Sequence, residues 1–105
     1  MSSLRGNEVT LLNNQQALTD GVWVDIRELN RKAIHILGTF SATIQIRGSC
    51  EPTIPANTAH GAQIGSNITT AQLVEISAPV KWIKCSVTTY TSGAIFAHLF
   101  GRSIN

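Results

Sequence analysis

Charge is scarce in this sequence: only 13% of its 105 residues are Asp, Glu, Lys or Arg, about half the share of an ordinary soluble domain. The six carboxylates, Glu8, Asp20, Asp25, Glu28, Glu51 and Glu75, form none of the close pairs that glycoside hydrolysis or an oxygen-ligand metal site needs. The eight cations are scattered and leave a net charge of +2, so there is no basic stripe for phosphate binding and direct contact with nucleic acid is not expected. Their one tight cluster, Arg27-Glu28-Leu29-Asn30-Arg31-Lys32, is diluted by Asp25 and Glu28 and is expected as a solvated loop. Cysteine is nearly absent too. Cys50 and Cys85 are expected as free thiols, because no signal-peptide apolar core precedes the chain and a reducing compartment disfavours disulfides. No apolar run approaches the roughly 18 residues that indicate a membrane span.

Motifs for chemistry are missing as well. There is no G-x-S-x-G elbow, P-loop, G-x-G-x-x-G or H-E-x-x-H. The three histidines, His35, His60 and His98, lack the spacing of metal ligands. Gly48-Ser49-Cys50 has no assignable base and is expected as a turn. Asn67-Ile68-Thr69 matches a glycosylation sequon, which carries weight only in a secreted chain. The expectation is a protein with no catalytic residues, metal or cofactor.

What the sequence does have is short runs alternating apolar and polar residues between Gly, Pro, Asn and Ser, the pattern of half-buried strands. Ala42, Ile44 and Ile46 alternate with Thr43, Gln45 and Arg47; Val22, Val24 and Ile26 alternate with Trp23 and Asp25. Further strands are expected at Ala33–Leu37, Leu73–Ile76 and Val80–Tyr90, with a Thr91-Ser92-Gly93 hairpin turn into Ala94–Phe100. No segment has sustained helical periodicity. The expected fold is all-β, a small antiparallel β-sandwich, jelly-roll or Ig-like, with a small barrel as the runner-up. Residues 1–20 are expected as a polar N-terminal arm with a possible first strand, residues 21–105 as a single sandwich domain, and Gly48–Thr70 as one long loop.

The C-terminal strand breaks the half-buried rule. Ala94, Phe96, His98 and Phe100 lie opposite Ile95, Ala97 and Leu99, so both faces are apolar. On the strand before it, Trp82 and Tyr90 are placed opposite Ile83, Cys85 and Val87. Aromatic residues are enriched at protein interfaces, which makes Trp82, Tyr90, Phe96, His98, Phe100 and Trp23 the candidate interface residues of a homo-oligomer. The competing arrangement has the second face covered by the Gly48–Thr70 loop of the same chain.

Two stretches, Thr39–Ser49 and Val80–Gly93, give an alternating strand ending in Gly-Ser, a Pro-containing loop and a late apolar strand closing on Ser-Gly. In this order the chain resembles small tailed-bacteriophage virion proteins. The resemblance implies a capsid decoration or cement protein, made in the host cytoplasm and located in the virion, whose partners are the major capsid protein or other virion subunits. It does not separate the capsid exterior from a tail or head–tail joining position. A different class, a carbohydrate-binding module, would use Trp23, Trp82 or Tyr90 to stack on sugar rings.

Overall fold

The computed structural model describes residues 4–26, 29, 31–55, 61–77 and 79–104. Arg27, Glu28, Asn30 and His60, on which two of the expectations above rest, lie outside them. The described chain forms eight strands: β1 (Leu4–Gln15), β2 (Val24–Asp25), β3 (Arg31–Leu37), β4 (Phe40–Ser49), β5 (Ala62–Ile68), β6 (Gln72–Ile76), β7 (Trp82–Gly93) and β8 (Ile95–Ile104). They make two four-stranded sheets, β1-β8-β3-β6 and β2-β7-β4-β5, antiparallel throughout.

The pairing is nested. β1 pairs with β8, β2 with β7, β3 with β6 and β4 with β5, as in one long antiparallel ribbon doubled back at the β4–β5 connection. Rolling that ribbon brings β8 beside β3 and β7 beside β4, and the result is an eight-stranded jelly roll. This selects between the two sandwich types expected from the sequence.

The core is built from the alternating positions. Ile34 and Ile36 of β3, Ile44 and Ile46 of β4, Ile83, Cys85 and Val87 of β7, and Ile95, Ala97 and Leu99 of β8 are buried between the sheets. β-Branched isoleucine suits this pleated surface, because its restricted side chain loses little rotamer freedom on packing there. Each fully buried Ile contributes roughly 1.5–3 kcal/mol relative to exposure.

Three expectations are corrected and one is extended. The possible first strand of the segment expected as an arm is the edge strand β1, whose residues Leu4–Thr10 pair without interruption with β8. Its polar Asn13 and Asn14 mark an irregularity in the pairing, Asn14 taking a φ of 55°, which Asn tolerates better than most residues. The long loop is interrupted by the edge strand β5, whose pattern is blurred by Gly65 (φ 77°) and a register shift against β4. The cluster ending in Arg31 and Lys32 runs into β3, and Lys32 is buried. Finally, β7 and β8 do not form a hairpin; they lie in different sheets, joined by a corner. The β3–β4 connection is a second corner, and the two pack together so tightly that a Cβ on Gly38 would sit 2.2 Å from the Ala94 carbonyl oxygen, and one on Gly93 2.2 Å from that of Thr39. Both glycines have positive φ, 111° and 96°, so backbone freedom and absence of a side chain are needed at the same places.

Candidate assembly interface

The two strands singled out by their aromatic content have opposite fates. On β7 the outward residues Trp82, Lys84 and Ser86 are buried, because the chain covers its own sheet there. Trp82 Nε1 donates to the Glu51 carbonyl at 2.9 Å, and Ser86 Oγ donates to the Asp20 carbonyl at 2.7 Å. The covering strap is the continuation of β2: Thr19 and Val87 exchange backbone hydrogen bonds of 3.2 and 2.8 Å before the strap bends at Gly21 (φ 79°). That bend turns Trp23 inward over Lys84, whose Nζ lies 4.7 Å from the indole centroid. Such a contact between a cation and an aromatic face partly offsets burial of the ammonium. Burial dominates nonetheless and pulls the Lys84 pKa down; Asp20 acts upward and Arg47 downward.

Trp23 and Trp82 are therefore internal residues, not interface residues. Tyr90 is a different correction. Strict alternation along β7 would put it outward, but Thr43 pairs with Thr89 and Ile44 with Val87, leaving Thr88 as an extra residue. One extra residue reverses the faces. Tyr90 accordingly packs half-buried against the core, and its hydroxyl donates to the Gly93 carbonyl at 2.5 Å.

β8 keeps its parity and its outer face open. Ile95, Ala97 and Leu99 point inward; His98 and Phe100 are exposed and Phe96 is half-buried. Register places these residues in rows across the sheet. Phe100 lies between Glu8 and Ala33, with Glu75 beyond; His98 lies between Thr10 and His35, with Leu73 beyond; Phe96 lies opposite Leu37. Phe100 is 47% exposed, Leu73 69% and Leu37 36%, so exposed apolar side chains flank the His98–His35 row on this face. At one end Arg31 pairs directly with Arg102. A shallow depression of about 320 Å³ beside them is lined by Phe100, Leu73, Ala33 and Glu75 as well as by these cations.

Of the sequence-based set, Phe96, His98 and Phe100 lie on this open face, together with His35, Leu37 and Leu73. Leu73 carried a usable signal, being the apolar exception on the face of β6 opposite Val74 and Ile76. His35 and Leu37 fall on the outward face of β3 by the same alternation, and only the β3–β8 register shows that they continue the β8 surface.

The remaining chemistry is sparse. Cys50 is exposed, with Sγ 3.7 Å from the Pro79 carbonyl oxygen, whereas burial pushes the Cys85 thiol up to about 12. Among the described residues no three His, Cys, Asp or Glu side chains are gathered for a metal ion, and no helix is long and apolar enough to cross a membrane.

By fold the molecule is a small jelly roll in which, among the described residues, the outer face of β7 is covered by its own chain and the outer face of β8 is open. The same fold is seen in the crystal structure of the SPBc2 prophage-derived protein YomS, with a TM-score of 0.77 over 98% of this chain and 97% of that one, at 13% sequence identity. No family model matches the sequence, and no curated protein matches it either.

Proposed function

We propose that this chain is a structural subunit of a bacteriophage particle, a decoration or cement protein that binds the capsid exterior and associates through the open face of the β1-β8-β3-β6 sheet. The observation that carries the reading is the exposed apolar surface made by Phe100, Leu73 and Leu37 in a chain otherwise rich in uncharged polar residues. Contiguous exposed apolar area of this kind marks association surfaces. Its polar neighbours are Thr10 and charges of both signs, Glu8 and Glu75 beside Phe100 and Arg31 and Arg102 at one end, which a partner surface of complementary charge can pair.

Two further points support the setting. The jelly roll is a recurrent architecture of viral shell proteins, and the fold is shared along nearly its whole length with a prophage-derived protein. Many copies, each burying a modest area, reinforce a shell through avidity. The carbohydrate-binding alternative loses its stacking platforms, since Trp23 and Trp82 are buried and Tyr90 packs on the core.

The test is quantitative mass spectrometry of density-purified particles from the phage or prophage that encodes the chain. The protein should band with intact particles in a fixed copy ratio to the major capsid protein and be released without loss of the DNA-filled shell's morphology under mild conditions. A chain abundant in the lysate but missing from particles would overturn the proposal.

A further inference from the structure

The centre of the open face is occupied by two histidines. His35 of β3 and His98 of β8 are direct cross-strand partners and both are exposed. Directly opposed residues on one face of an antiparallel pair have Cβ atoms about 4.5–5.5 Å apart, a spacing at which two imidazoles can converge on one ion with metal–nitrogen bonds of about 2.0–2.1 Å. His98 is also oriented: its Nδ1 lies 3.4 Å from Thr10 Oγ1 of β1. With the proton on Nδ1 and donated to that hydroxyl, Nε2 keeps its lone pair free as a ligand, the arrangement in which an outer hydrogen bond fixes a metal-binding imidazole.

We infer that His35 and His98 form half of a zinc-class divalent metal site, completed by the same two residues of a second copy packed face to face. This rests on the association surface proposed above and names what joins it. Within one chain the described residues offer no third His, Cys, Asp or Glu at this place, so the remaining ligands come from outside. A second copy supplies them naturally. The histidine row is the middle one, with the Phe100–Ala33 row on one side and the Phe96–Leu37 pair on the other. A two-fold axis through the middle row lays each aromatic row against its counterpart and gathers four imidazoles, the number that fills a tetrahedral zinc site. Phe100 and Ala33 on one side and Phe96 and Leu37 on the other shield the ion from water. Glu8 and Glu75 stand one row away, diagonal to His98 and His35 respectively, and supply negative charge that favours a cation without occupying the centre.

The experiment titrates zinc into the full chain carrying Cys50→Ser, which removes the exposed thiol as a competing ligand, and follows binding by calorimetry and mass by sedimentation. Expected are one zinc per two chains and a tightening of the dimer by tenfold or more over the chain in EDTA. His35→Ala or His98→Ala should abolish zinc binding and the zinc-induced tightening, each variant being compared with its own dimer constant in EDTA, while an unchanged urea midpoint in EDTA shows that the fold is intact, both side chains being exposed. Zinc binding that survives both substitutions, absence of binding in the parent chain, or one zinc per chain with no change in mass would each overturn the inference. Failure of the association surface itself is distinguished by Phe100→Ser in EDTA, where a dimer that persists unchanged refutes the face as its origin whatever zinc does.

Discussion

Replacing Phe100 by Ser tests the association surface at its largest exposed side chain. A buried Phe contributes roughly 150–250 Å² of contact area, and Phe100 is 47% exposed, so about 100 Å² per copy is left for a partner to cover. At about 25 cal/mol per Å² this is about 2.5 kcal/mol per copy, and about 5 kcal/mol for a two-fold contact in which each chain contributes one Phe100. Even if only half of that area is covered in the complex, the dissociation constant should rise about sixtyfold. Sedimentation equilibrium over a concentration series gives the constant directly. The substitution should leave the monomer intact, because Phe100 lies on the outer face and the inward residues of β8, Ile95, Ala97 and Leu99, are untouched; an unchanged urea midpoint checks this. A parent chain that stays monomeric at high micromolar concentration, or a variant with the parent's dissociation constant, would refute the reasoning.

Trp82→Ala should behave in the opposite way, costing about 3–5 kcal/mol of stability in urea denaturation with no effect on mass beyond that of partial unfolding, since the ring is covered by the chain itself. A disulfide-exchange reagent at neutral pH should label one thiol, that of Cys50, in the folded protein and both after denaturation, because the Cys85 thiol is buried and pushed up to about 12. Burial lowers the Lys32 pKa below its ordinary 10.5. The unfolded chain therefore holds this proton more tightly than the folded one, and stability should rise as pH climbs from the lowered value toward 10.5. Lys32→Met should flatten that rise, which denaturation midpoints measured between neutral pH and pH 10.5 would reveal.

Where alternation ran unbroken, the sequence was readable. Ala42, Ile44 and Ile46 kept one parity throughout β4, and Ile95, Ala97 and Leu99 kept it along β8, so the inner and outer faces of those strands followed from spacing alone. Tyr90 went the other way because a bulge at Thr88 has no local signal: Val87-Thr88-Thr89-Tyr90 looks like four ordinary strand residues, and the extra one is visible only in the register against Thr43 and Ile44. Trp82 and Trp23 illustrate a second limit. Their burial comes from parts of the chain distant in sequence, Trp82 donating to the Glu51 carbonyl and Trp23 lying against Lys84, and covering of this nonlocal kind leaves no trace in a strand's own pattern. The Thr-Ser-Gly signal at the end of β7 was correctly a reversal, but a positive-φ glycine serves a sheet-to-sheet corner as well as a hairpin, and the two differ only in where the next strand finds its partner. His35 joined His98 for the same reason, through the β3–β8 register.

The nested pairing of first strand with last also orders events in time. β8 lies between β1 and β3, so until β8 has docked nothing holds β1 and the β3–β6 pair in one sheet. The sheet containing β4 and β7 can begin to form earlier, since it needs nothing beyond Gly93. Contacts of such large sequence separation form slowly. The same strand carries Phe96, His98 and Phe100, so the rows of the open face come into being only when β8 docks between its neighbours. The face proposed for association is therefore a product of the completed sheet, absent from any partly folded state in which β8 is undocked.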